Sequence, residues 1–215
     1  MTSILDIRWP LFLPGQIPLD HQYVLLAALS HSAPMIHRVN EIGIHAIRGL
    51  PIAPGVLELR PTSALTLRSP VDLLPALISL SGKKLDLGGA TIQLGVPALF
   101  TLTPSNRLLS RISTIKGYTE PTAFLAAVRR QLDALGVGVS VRVAVGPRRV
   151  VRVKQQTIVG FEVTVENLSD NESVRIQESG VGGRRHLGCG LFVPSEPSPA
   201  SPQWRKNENN HIPIS

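Results

Sequence analysis

Two groups of residues in this chain have types and spacings that could do chemistry. Four of its six histidines, His21, His31, His37 and His45, lie between positions 21 and 45. Far along the chain, Gly180-Val181-Gly182-Gly183-Arg184-Arg185-His186-Leu187-Gly188-Cys189-Gly190-Leu191-Phe192 sets five glycines around two arginines and a histidine. Histidine titrates near neutrality and is suited to moving protons. Glycine tolerates positive φ and lets successive backbone N–H groups face an anion, while neighbouring arginines add charge. The segment therefore predicts a phosphate-binding turn, against the plainer reading of a Gly-rich connection between a helix and a strand.

Several chemistries are excluded by spacing. Arg185 stands where a dinucleotide fingerprint beginning at Gly180 needs glycine, and no G-x-x-x-x-G-K-[ST] occurs. The histidines are ten, six and eight residues apart, which matches no H-x-x-x-H or zinc-finger pattern, so neither a metal nor any other cofactor is expected. There is no G-x-S-x-G elbow and no conspicuous carboxylate pair. The single cysteine, Cys189, allows no intramolecular disulfide and reads as a small packed hydrophobe. The first residues, Met1 to Asp6, lack the basic region of a signal peptide, and no apolar run nears the ~20 residues of a membrane span. A cytoplasmic location without membrane attachment is the expectation.

Charge divides unevenly. Residues 1–102 hold seven basic and six acidic side chains, residues 103–194 hold thirteen and seven, and the remainder balances at two each. A polyanion bound mainly by the second half fits this polarity. Aromatics make up only 4%, so backbone or duplex recognition suits the composition better than stacking on unpaired bases.

The elements that must position these residues can be read from periodicity. A strand over 3–13 ends at Pro14-Gly15, and Pro18 with Asp20 as cap opens a helix through Tyr23, Leu26 and Leu29 that breaks near Ser32 before Pro34. Residues 56–60 and 64–68 read as a hairpin, 71–81 as a helix, and 84–102 as two short strands. The second half repeats the order. A strand over 108–116 precedes a helix opened at Pro121, with stripe Phe124, Val128, Leu132 and Leu135 and with Arg129 and Arg130 to one side. A hairpin over 139–155 turns around Gly146-Pro147. Simple alternation puts Val141, Val143, Val151 and Val153 on one face and Arg142, Arg152 and Lys154 on the other. Ser169-x-x-Glu172 is a capping box for a helix to Ser179. The fold expected is α+β, two tandem ferredoxin-like (RRM-like) βαββαβ units with a C-terminal Gly-rich loop. The domains expected are 1–102 with the histidines, 103–194 basic and RNA-binding, and a tail over 195–215 without fixed structure.

The run Ile158-Val159-Gly160-Phe161-Glu162-Val163, followed by the short helix and the glycine segment, resembles the C-terminal signature of CRISPR repeat-processing endoribonucleases. These form the sixth family of CRISPR-associated proteins, and the likeness is to a compact type I subgroup. The resemblance implies the tandem fold and metal-independent cleavage of precursor CRISPR RNA within the repeat. The 2′-hydroxyl would attack, leaving a 2′,3′-cyclic phosphate and a 5′-hydroxyl, and the protein would stay bound to the mature guide. A non-cleaving RNA-binding subunit of a CRISPR effector complex is the other function it allows. The implied partners are a repeat RNA stem-loop and other subunits of a type I complex.

In relatives the catalytic histidine commonly follows the first helix, a place that Ile36-His37 fits best. His45, within Ile42-Gly43-Ile44-His45-Ala46-Ile47-Arg48-Gly49, matches a stretch of the subgroup, and His31 matches a more distant branch. Tyr23 could assist from the helix. No lysine stands in a clear catalytic place, and Arg38, Arg48 and Lys154 are the cations at hand. For RNA binding the candidates are Arg142, Arg148, Arg149, Arg152 and Lys154 of the hairpin, Arg129 and Arg130 of the helix, and Gly182, Gly183, Arg184 and Arg185 of the loop.

Overall fold

A computed structural model of the protein describes residues 3–12 and 15–196. The first strand, β1 (Ile4–Phe12), alternates as a half-buried strand should: Ile7 and Trp9 are fully buried, while Asp6 and Arg8 point to the opposite face. It is followed by β2 (Gln16–Pro18), α1 (Gln22–Ser32), α2 (Met35–Arg38), β3 (Gly43–Ile44), β4 (Leu50–Ala53), β5 (Val56–Glu58) and β6 (Ala64–Pro70). A 3₁₀ turn leads into α3 (Leu74–Ile78), then come β7 (Lys84–Asp86), β8 (Thr91–Leu94) and β9 (Ala98–Thr101). Strand β1 pairs antiparallel with β6 on one side and with β9 and β8 in succession on the other, and β3 closes the far edge of β6. Taken as β1-α1-β3-β6-α3-β9, the spatial order β9-β1-β6-β3 is ferredoxin-like.

Three local expectations change. The residue preceding α1 is His21, not Asp20, and it gives no side-chain cap. Its buried ring instead links Pro18 and Ile47: Nδ1 donates to the Pro18 carbonyl at 2.9 Å and Nε2 accepts from the Ile47 N–H at 3.1 Å. The expected hairpin over 56–68 does not form. Strand β5 joins β2 and β4 in a separate three-stranded sheet, and β6 pairs with β1 over seven residues, burying Leu65 and Leu67. That long ladder with two core leucines outweighs the shorter local pairing. The helix expected over 71–81 contracts to α3, because Pro75 is suited only to a first turn.

The second half comprises β10 (Arg107–Ser113), α4 (Pro121–Ala134), β11 (Arg142–Val153), β12 (Gln156–Glu166), α5 (Asp170–Ser179) and β13 (Val193–Pro194). Its order, β11-β12-β10-β13, is the same antiparallel arrangement. Phe124, Val128 and Leu132 of α4 bury against Phe161, Val163 and Val165 of β12, with the Phe124 and Phe161 rings 4.9 Å apart. The capping box forms as read. Ser169 accepts from the Glu172 N–H, and the Glu172 carboxylate accepts from the Ser169 N–H and, at 2.7 Å, from the Gly138 N–H. The Gly138 bond first, then those of Ser169, lower the Glu172 pKa to about 2.

The simple alternation along the hairpin fails. Val145 pairs with Val163 but Arg148 with Phe161, so Gly146-Pro147 opposes a single residue, Glu162. This bulge reverses the faces beyond it. Val141, Val143 and Val145 join the core beneath α4, whereas Val151, Val153 and Ile158 pack on the other face against Leu187 and Cys189 of the glycine segment and Leu26 of α1. Arg142 and Arg149 consequently share one face, and Arg148 and Arg152 share the opposite, exposed one. Residues 195 and 196, placed in the tail, are held: Arg107 donates to the Ser195 hydroxyl and the Glu196 carbonyl. Residues 197–215 lie outside those described.

Candidate functional site

The glycine segment is built by close backbone packing. The Gly180, Val181, Gly182 and Gly183 N–H groups donate to Ile176 O, Gly190 O, Gln131 Oε1 and Thr114 O, and those of Leu187 through Gly190 also donate within the protein. A Cβ at Gly182, whose φ is +87°, would collide with the Thr114 carbonyl. The expectation that these N–H groups cup an anion is therefore corrected for Gly182 and Gly183: Gln131 of α4 and Thr114, just after β10, already occupy them. What the segment offers is side chains. Arg184, in a left-handed conformation, is exposed. Arg185 folds inward, and its Nε and Nη2 are buried without a hydrogen-bond partner among the described residues. Burial, then the nearby Arg68, lowers its pKa to about 10, so it stays charged at neutral pH. His186 Nε2 donates to the Val39 carbonyl at 2.8 Å, which fastens the segment to the turn just after α2.

The histidines separate by environment. His37 is exposed on α2, two residues before the Val39 that His186 holds. His45 lies at the seam between the halves. Its Nε2 is buried, 3.8 Å from Asp6 Oδ1 and too far for a good hydrogen bond. Burial pushes its pKa down, Asp6 opposes that and Arg68 adds to it. His21 is fixed as described, with its pKa also lowered by burial, and His31 is exposed at the end of α1. Tyr23 is half-buried on α1. The structure thus does not bring His37, His45 and Tyr23 into one hydrogen-bonded set. Among the described residues, no three His, Cys, Asp or Glu side chains are grouped to hold a metal, and no helix is long and apolar enough to cross a membrane.

A feature the sequence reading missed sits beside His45. Arg68, 1% exposed, makes a two-pronged pair with Asp6 (2.8 and 2.9 Å) and donates across the seam to Gln177 O at 3.0 Å and Phe192 O at 2.7 Å. Burial works to raise the Asp6 carboxyl, but Arg68 and then His45 overcome it and hold it well below the usual carboxylate range. An acid and an arginine facing each other on β1 and β6 carry no sequence signal until the register is known.

Among the basic candidates, Arg142, Arg148, Arg149, Arg152 and Lys154 are exposed. Arg149 is partly engaged by Glu162 at 3.0 Å. Arg129 donates to the Val141 carbonyl at 2.5 Å, and Arg130 reaches the Tyr118 hydroxyl and lies over its ring. Cys189 is buried, which raises its pKa to about 11, as fits a packed thiol.

Two ferredoxin-like units with the basic excess in one of them define a class of protein, one built to hold a polyanion. The chain belongs to the Cas6 family of CRISPR proteins, whose family description, Cas6 Crispr, matches residues 10–197. It is 39% identical over 180 residues to a CRISPR-associated endonuclease Cas6 of Myxococcus xanthus (strain DK1622), covering 84% of this chain and 77% of that one. The fold is similar to a solved CRISPR associated protein Cas6 (TM-score 0.64, 15% identity, 90% of this chain and 100% of that one). It is likewise similar to the product of a Cas6-related gene from Pyrococcus furiosus (TM-score 0.64, 17% identity, 91% and 100%).

Proposed function

We propose that this Cas6-family endoribonuclease cleaves precursor CRISPR RNA within the repeat, without a metal, and stays on the mature guide. The 2′-hydroxyl oxygen attacks the adjacent phosphorus as its proton leaves to a base. The bond from phosphorus to the 5′-oxygen breaks and that oxygen takes a proton, leaving a 2′,3′-cyclic phosphate and a 5′-hydroxyl. RNA supplies the nucleophile, so the protein needs a proton carrier, a cation for the phosphorane-like charge and a grip on the backbone.

The observation that supports this reading is the tie from His186 to Val39, which fastens the arginine-bearing segment to the turn two residues beyond exposed His37. In this assignment His37 is the proton carrier. Arg184 and Arg185 neutralise the phosphate, and a phosphate oxygen would satisfy the two unpartnered Arg185 nitrogens. His45, enclosed beside Asp6 and Arg68, positions the seam rather than touching RNA. Tyr23 is left to the α1 face. Arg142, Arg148, Arg149, Arg152 and Lys154 hold the repeat stem, with Arg130 at its margin, and residues 103–194 act as the RNA-binding unit.

The test is end-labelled repeat RNA incubated with the protein in EDTA, with a 2′-deoxy nucleotide placed at each position in turn. Discrete cleavage lost at one deoxy position is expected. Tight binding with no cleavage would instead support the non-cleaving subunit.

A further inference from the structure

The outer face of the first sheet carries a patch that the stem-binding hairpin does not explain. Residues directly paired across strands share a face, so the register sets Phe100, Asp6 and Arg68 in one row and Ala98, Arg8 and Thr66 in the next. The first row runs under the second half through Arg68. The second row is where the sheet emerges. There Arg8, Arg48 and Arg60 line one depression together with Gly49, Thr62 and Ser63. Three of the first half's seven basic residues thus converge in a unit whose overall charge is nearly balanced.

The depression is framed from beneath. Ser63, 3% exposed, donates to the Arg48 carbonyl at 2.6 Å and accepts from the Arg60 N–H at 2.8 Å, so one buried hydroxyl fixes both arginine-bearing segments. Arg8 is steadied by donating to the Thr62 carbonyl at 3.0 Å. Only Arg60 has a carboxylate within ion-pair distance, Glu58 at 3.3 Å. Among the described residues Arg8 and Arg48 have none.

Two exposed aromatics flank these cations on the same face. Phe100, 47% exposed, stands diagonal to Arg8, and Phe12, 56% exposed, lies farther along β1 with its ring against Gly95. Rings beside guanidinium groups, two of them without a carboxylate, on an open sheet suit unstacked bases joined by phosphates. A protein partner would be asked to bury those cations, whereas an RNA strand complements them.

We propose that this face binds a single-stranded RNA segment flanking the repeat stem, with Arg8, Arg48 and Arg60 on its phosphates and Phe100 and Phe12 under its bases. The proposal rests on the repeat-cleaving reading above. Its test compares binding of two RNAs, the repeat stem alone and the stem with its single-stranded flanks, to the full chain, to Arg8→Ala/Arg60→Ala and to Phe100→Ala. Flanks should tighten binding to the unaltered chain. The double variant should lose about 10-fold on the flanked RNA, with a log–log salt slope shallower by about 1.4 for two phosphates. Its affinity for the stem alone should not change. Flanks that add nothing to the unaltered chain, or an equal loss on both RNAs, overturn this proposal and leave the cleavage reading standing. An unaltered chain that binds neither RNA overturns both. Phe100→Ala isolates stacking: a loss on the flanked RNA with the salt slope unchanged is expected, and no loss removes the bases from the proposal.

Discussion

The two halves share one strand order and differ in where each is extended. In the first, the second strand of the unit is a two-residue β3, and the chain around it makes a separate three-stranded sheet and a row of histidines. In the second, the equivalent strand is the twelve-residue β11, which with β12 forms a hairpin bearing five cations. The shared βαββαβ order organises both cores, while the candidate site residues sit largely on what each half adds to it. The first half contributes the Asp6–Arg68 pair at the seam and the second contributes most of the basic charge.

The largest effect should come from two histidines of the first half that differ in exposure, His37 and His45. His37→Ala is expected to slow repeat cleavage by about 10²- to 10⁴-fold while leaving affinity and Tm unchanged. His45→Ala should lower Tm and reduce cleavage less. Single-turnover kinetics beside thermal melts would decide, and exchanged behaviours would break the division between an exposed carrier and an enclosed positioner.

Next comes the seam. Asp6→Ala leaves Arg68 buried without its carboxylate, which should destabilise the protein by about 3–5 kcal/mol in denaturant titrations. The folded-state pKa of Asp6 is depressed, so its stabilisation is present above the unfolded carboxylate value, about 3.9, and is lost as pH falls toward the folded value. Acid unfolding of the unaltered chain should be correspondingly steep below about pH 4, and that of Asp6→Ala shallower.

The hairpin offers a sharper contrast between its own two faces. Arg148→Glu with Arg152→Glu should weaken stem binding and flatten its salt slope by about 1.8, the value for two duplex phosphates. Arg142→Glu with Arg149→Glu should do less, because Glu162 already engages Arg149. Equal effects would mean that RNA grips both faces. The smallest effect is purely structural: Ser169→Ala should cost about 1 kcal/mol through the α5 cap and leave binding unchanged, as melts and filter binding would show.

Sequence patterns with short range carried far. The stripe on α4, the Ser169–Glu172 box, the break before Pro34 and the basic bias of the second half all rest on neighbours within a turn or a strand, and each appears in the fold. The glycine segment carries the family likeness, yet its glycines do not cup an anion: they admit the Thr114 carbonyl and neighbouring backbone, and each of their five N–H groups donates within the protein.

What the sequence by itself determined was the α+β class with two tandem units, which local periodicity is sufficient to show, and the family, through the likeness of its glycine segment and the strand before it to a known signature. Tertiary structure alone decided that His45 Nε2 is buried while His37 is exposed, that Asp6 meets Arg68 at the seam, and that one extra residue at Gly146-Pro147 sends Arg142 and Arg152 to opposite faces. Each depends on strand register and on contacts between residues far apart in the chain. A shift of one residue in that register turns a side chain from one face of a sheet to the other, and no local pattern records it.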